Sequence, residues 1–124
     1  MALMKAMQIH RYGTPDVFVL EEIERPVPGT NEVLVRVHAV GINPSGEVVE
    51  VGAGVTQFAP GDEVYGLNRF PQLGKAYTEY VTAPVTDIVQ KPGNLSHIEA
   101  AALPLVGLTA WKALFEYAKL QATA

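Results

Sequence analysis

The sequence predicts a mainly β domain that finishes in helices. Glycine and proline, 11 and 9 of them, are spread through the first three quarters and punctuate short elements instead of pooling in one linker. Between them lie stretches that alternate apolar with polar residues or are rich in β-branched and aromatic ones. The pattern turns helical at Ser96. With 124 residues, 48% of them hydrophobic and 18% charged, the chain has room for one domain with a real core, and none for a two-domain enzyme.

The first expected strand runs from Lys5 to His10. Gly13-Thr14-Pro15-Asp16 supplies turn chemistry, and Phe18 to Glu24 returns to complete a hairpin. After the breakers Pro26, Pro28 and Gly29, the clearest strand places Val33, Val35, Val37 and Ala39 on one face and Arg36 and His38 on the other. SGEVVEVG reads as the next, with Glu47, Val49 and Val51 sharing a face. Pro60-Gly61-Asp62 turns the chain into Glu63-Val64-Tyr65. Ala76 to Thr82 forms an aromatic strand and Asp87 to Gln90 a short one, closed by Lys91-Pro92-Gly93. Six or seven short strands is the count of a barrel or a sandwich. Ser96 and Glu99 are spaced as a capping box, so a helix begins there. Pro104 ends or kinks it, and Trp111, Leu114, Phe115 and Ala118 recur on one face of a second helix.

Charge and composition exclude several functions. A net charge of −4 with nine scattered Lys and Arg gives no footprint for nucleic acid. The absence of cysteine removes disulfides, thiolate catalysis and sulfur-bound zinc, and fits a reducing compartment. No apolar run has the length of a signal peptide or of a membrane span, so the cytoplasm is the expected location.

Tests for chemistry are mostly negative. Gly52-Ala53-Gly54 is tempting as a phosphate loop, but Gln57 stands where a third glycine is needed and no helix follows, so the run reads as a hairpin turn. His10, His38 and His97 have no partner at ligand spacing and predict no metal site. No serine lies in a G-x-S-x-G elbow. Glu21-Glu22 and Asp62-Glu63 read as solvated charges, because neighbours on a strand face opposite sides. Tyr65, Phe70, Tyr77 and Tyr80 are expected in the core, with pocket lining as the alternative.

Several stretches in order carry a resemblance. The run MKAMQIHRYGTPDVFVLEEIERPVPGTNEVLVRVHAVGINP, followed by SGEVVEVGAGVTQFAPGDEVYG, AYTEYVTAP and AAALPLVGLTAW, resembles the N-terminal part of zinc-independent medium-chain dehydrogenases and reductases, the quinone oxidoreductase-like group. The resemblance spans nearly the whole chain. It implies one GroES-like domain over residues 1–124, a partly open β-barrel. In full-length relatives such a domain walls one side of an active-site cleft, and a separate Rossmann domain presents NADPH for hydride transfer to a quinone or enone.

Against that pattern the chain is expected to lack the cofactor-binding domain and to be shortened internally, with Pro44 joined directly to Ser45. By resemblance, Asn43 matches an asparagine near the nicotinamide ribose and Thr109 in GLTAW a threonine at the nicotinamide end. The plainer roles are a turn-stabilising Asn before Pro44 and a helical Thr bonded to its own backbone. No residue is assigned as catalytic or as a metal ligand. The chain is therefore expected to resemble an NADPH-dependent oxidoreductase without catalysing or holding the cofactor alone. The alternative is a self-associating scaffold, with a homo-oligomer formed through the apolar C-terminal helices.

Overall fold

The computed structural model describes residues 2–70, Gln72 and residues 75–121; Ala122, Thr123 and Ala124, which end the sequence, lie outside them. Strands β1 (Leu3–Gln8) and β2 (Val19–Glu24) form the expected hairpin around a single 3-10 turn, Pro15–Val17. Five further strands follow: β3 (Glu32–Val40), β4 (Pro44–Val51), β5 (Glu63–Gly66), β6 (Tyr80–Pro84) and β7 (Ile88–Gln90). They make one antiparallel sheet in the order β6-β3-β4-β5-β7, curled into a half-barrel. Backbone bonds from Met7 to Tyr77 and from Glu79 to Lys5 stitch the hairpin to the segment that leads into β6.

The core is built from Val33, Val35, Val48, Val64, Val81, Ala83 and Ile88, each buried, and Val37, Val51, Val55, Phe58 and Val85 close it. β-branched residues suit this site because they pack well on a pleated surface at small volume. Three expectations change here. The inward face of β4 carries Val48 and Val51, not Val49 and Val51, because the register slips opposite Leu34 and Val35 and inserts an extra residue at Val49. The aromatic residues are not core: Phe70 and Tyr77 are exposed and Tyr65 and Tyr80 only half-buried. Tyr77 instead meets Phe18 edge-on at 6.4 Å between ring centres, and Arg25 lies 4.0 Å over the Tyr80 ring. The strand expected from Ala76 pairs as a ladder only from Tyr80.

Helix α1 (His97–Ala101) starts with the capping box the sequence shows: the Glu99 amide donates to the Ser96 hydroxyl, and the Ser96 amide to the Glu99 carboxylate. Helix α2 (Pro104–Trp111) follows with Pro104 in its first turn, where a missing N–H costs nothing. From Lys112 to Tyr117 the winding loosens into a π-helical run. The widened turn breaks the single face expected for Trp111, Leu114, Phe115 and Ala118, although Trp111 and Phe115 still meet at 4.4 Å. No residue of α2 or of the π-run is buried.

Candidate functional site

The end of the barrel nearest the helices is organised by Asn43. Gly41, Ile42 and Asn43 turn β3 directly into β4, with Val40 paired to Pro44. This turn holds the Asn43 side chain inward, 4% exposed. Its amide donates to the Ala101 carbonyl at 3.1 Å, at the end of α1, and its carbonyl accepts from the Leu105 amide at 3.1 Å, at the start of α2. One side chain thus satisfies an unpaired group on each side of the helix break. Beside it lies an open apolar hollow of ≈ 330 Å³ lined by Ala39, Val40, Gly41, Ile98, Ala101 and Ala102. Thr109 lies on the exposed helix and donates its hydroxyl to the Leu105 carbonyl at 2.8 Å.

A second cluster joins residues that the sequence keeps apart. His38 on β3 and His97 on α1 stack with ring centres 4.5 Å apart and planes 10° from parallel. The His97 ring reaches the Ser45 hydroxyl at 2.7 Å through Nδ1 and the Glu63 carboxylate at 3.1 Å through Nε2. A carboxylate only accepts, so Nε2 carries the proton and Nδ1 accepts from Ser45. Burial, followed by the neighbouring His38, holds the His97 pKa below its ordinary value. Lys91, 3.3 Å from Glu63, pulls the Glu63 carboxyl below the usual range. Glu47 accepts from Arg36 at 2.7 Å and lies 3.9 Å from His38.

These contacts correct two expectations. His38 and His97 are not lone residues, since the fold carries α1 back across β3 and β4. Nor is Asp62-Glu63 merely solvated: Asp62 accepts from the Ala59 amide at 2.9 Å and Glu63 is held by His97 and Lys91. Likewise Glu21 meets His10 at 2.6 Å. The Ser45–His97–Glu63 chain has the order of nucleophile, base and orienting acid, yet Ser45 is 1% exposed and no substrate reaches it. Its work is to fasten α1 to β4 and β5. Among the described residues no group of three or more His, Cys, Asp or Glu is placed to hold a metal ion.

The glycine run is a turn. Gly52 donates to the Glu32 carbonyl and Asn31 to that of Ala53, each at 2.8 Å, and Gly54 has a φ of 80°. A Cβ on Gly52 would stand 1.8 Å from the Gly29 carbonyl oxygen, so another backbone already occupies the space a phosphate would need. The glycine run therefore leaves no room for a phosphate.

No family model matches the chain. Individual relatives do. The chain is 34% identical to a chloroplast envelope quinone oxidoreductase homolog of Arabidopsis thaliana, over 96% of itself and 44% of that protein. It is 29% identical to the quinone oxidoreductase of Mus musculus, over 97% of itself and 43% of the relative. Among solved structures, the quinone oxidoreductase from Coxiella burnetii superposes with a TM-score of 0.87 at 32% identity, covering 97% of this chain and 46% of that one. The CurK enoyl reductase follows at 0.85 and 29%, over 95% of this chain and 44% of that one. The chain spans less than half the length of these relatives. The mouse alignment runs to 145 positions against 124 residues here, so the relative carries residues within the matched region that this chain lacks.

Proposed function

We propose that this chain, a GroES-like domain of the quinone oxidoreductase-like medium-chain dehydrogenases and reductases, is the substrate-side part of a reductase acting on quinones or enones. The supporting observation is the shared fold and sequence over nearly the whole chain with proteins named for quinone and enoyl reduction. The apolar hollow beside Asn43 is where a flat, electron-poor substrate would lie. Reduction needs a hydride donor, and relatives named as NAD(P)H oxidoreductases point to a nicotinamide; NADPH is the form we propose. A second, dinucleotide-binding body must bring it.

On this reading residues 1–124 form a single domain, and zinc takes no part. Asn43 and Thr109 meet the nicotinamide end only when that second body is docked. Alone, both are engaged within the chain, so it neither binds nor oxidises NADPH. No helix among the described residues is long and apolar enough to cross a membrane. The cytoplasm is the compartment we propose, as a reducing setting that a cysteine-free chain tolerates fully.

Calorimetric titration of NADPH into the purified chain, with circular dichroism to establish folding, tests this. The expected result is a folded chain and no saturable heat. Micromolar, saturable binding overturns the requirement for a second body. A second reading, a self-associating scaffold, is favoured by the exposed apolar side chains of α2 and the π-run.

A further inference from the structure

The seam between α1 and β3 holds both the apolar hollow and the stacked histidines. One wall of the hollow is Ala39, Val40 and Gly41, at the end of β3, and the other is Ile98, Ala101 and Ala102, along α1 and its end. His38 directly precedes Ala39, and His97 directly precedes Ile98. Each wall therefore begins at one of two rings that lie 4.5 Å apart and 10° from parallel. At its other end α1 is pinned by the bond from Asn43 to the Ala101 carbonyl. The stack closes the seam at one end and Asn43 at the other.

Two neutral imidazoles stack without penalty and one proton between them is tolerated, but two imidazolium rings at this distance repel across a seam that water screens only in part. His38 is faced by Glu47 from β4 at 3.9 Å, a carboxylate that Arg36 already holds, and it shares a shallow space with Glu79 and Tyr80. His97 is faced by Ser45 from β4, Glu63 from β5 and Lys91 after β7. A charged His97 keeps Glu63, and Ser45 can turn its hydroxyl to the Val64 carbonyl and accept from Nδ1. The hydrogen-bond partners thus allow the charge, and the stacked neighbour resists it. We propose that His38 and His97 form a proton-operated latch: with at most one proton between them they hold α1 against β3, and a second proton drives the rings apart and widens the hollow. The hollow is the one assigned above to the substrate, and the latch rests on that reading only for its effect on binding.

NMR of the whole chain from about pH 7.5 to about pH 5 tests the latch, following both imidazoles and the methyls of Ala39, Ala101 and Ala102. The rings should titrate in two separated steps, and the methyls of the hollow should move with the second while those of Val48 and Val64 stay in place. His38→Phe keeps a ring in the stack without its charge. In that variant the movement should be lost and His97 should titrate at higher pH. Affinity for menadione, a small flat quinone, should weaken roughly 5-fold across the second step in the original chain and stay level in the variant. Methyls that stay still, that move as far in His38→Phe, or that move together with Val48 and Val64 overturn the latch, as do rings that titrate in a single step and a menadione affinity indifferent to pH. Methyls that move as expected with no menadione bound at any pH uphold the latch and defeat the assignment of the hollow to a quinone.

Discussion

Val48 and Trp111 are both large apolar residues, yet one is completely enclosed and the other 59% exposed. The barrel closes on itself: its valines alternate inward, the strands pair on both sides of β3 and β4, and the bulge at Val49 corrects the register where alternation fails. The C-terminal arm contains as much apolar character per residue and buries none of it. Apolar content alone therefore does not make a core. What matters is whether the topology brings a second apolar layer to the first.

The sharpest way to break this contrast is to truncate one leucine in each region. Leu34→Ala, at a fully buried site, should cost about 2–5 kcal/mol in urea unfolding, because it removes transfer energy and leaves a cavity. Leu108→Ala should change monomer stability by less than about 0.5 kcal/mol. Equal losses would mean that the arm is packed in solution. Next in size, Asn43→Ala strands the Leu105 amide and the Ala101 carbonyl and should cost about 1–3 kcal/mol. Hydrogen exchange should then quicken in α1 and α2 while β3 and β4 stay protected; uniform quickening would deny Asn43 its role as the joint between the two regions.

A smaller effect is expected at the cap: Ser96→Ala should lose about 1 kcal/mol, read in the same unfolding experiment. Smallest is the pH response of the contact between α1 and the barrel. Because the folded state holds His97 below 6.5, the unfolded chain takes up the proton first. Stability from this site is complete above pH 6.5 and falls as the pH drops through and below it. The groups facing His97 are His38 from β3, Ser45 from β4, Glu63 from β5 and Lys91 after β7. Glu32 and Glu63 have lowered pKa values, so their contributions are lost only at lower pH, near and below 4.5. His97→Gln should flatten the decline near pH 6 and leave the acidic limb intact, as thermal unfolding across pH would record.

Much of the barrel was legible in the sequence because alternation is a local signal. The hairpin, the long central strand and the Ser96 capping box need only residues a few places apart. The bulge was not legible, since Val48 and Val49 are chemically alike and only the partner strand decides which of them turns inward. The stacked histidines were hidden for the same reason: three strands must first assemble before α1 returns over β3. Of the candidate site, Asn43 was visible as a residue, but its two partners lie 58 and 62 positions away. The tyrosines misled because aromatic strand residues usually fill cores, whereas this half-barrel is already filled by valine.

The three-residue turn at Gly41-Ile42-Asn43 bears on how quickly the molecule assembles. It joins two inner strands of the sheet, on which β6 and β5 then pair directly. Closing a connection ten times longer would cost on the order of 2 kcal/mol more in chain entropy. The β3–β4 pair is thus the expected seed of the folding transition state, with the outer strands condensing on it. Stopped-flow refolding of variants along these two strands should show the largest slowing per unit of stability lost, and a longer loop spliced in between Gly41 and Ile42 should delay folding while sparing the rate of unfolding.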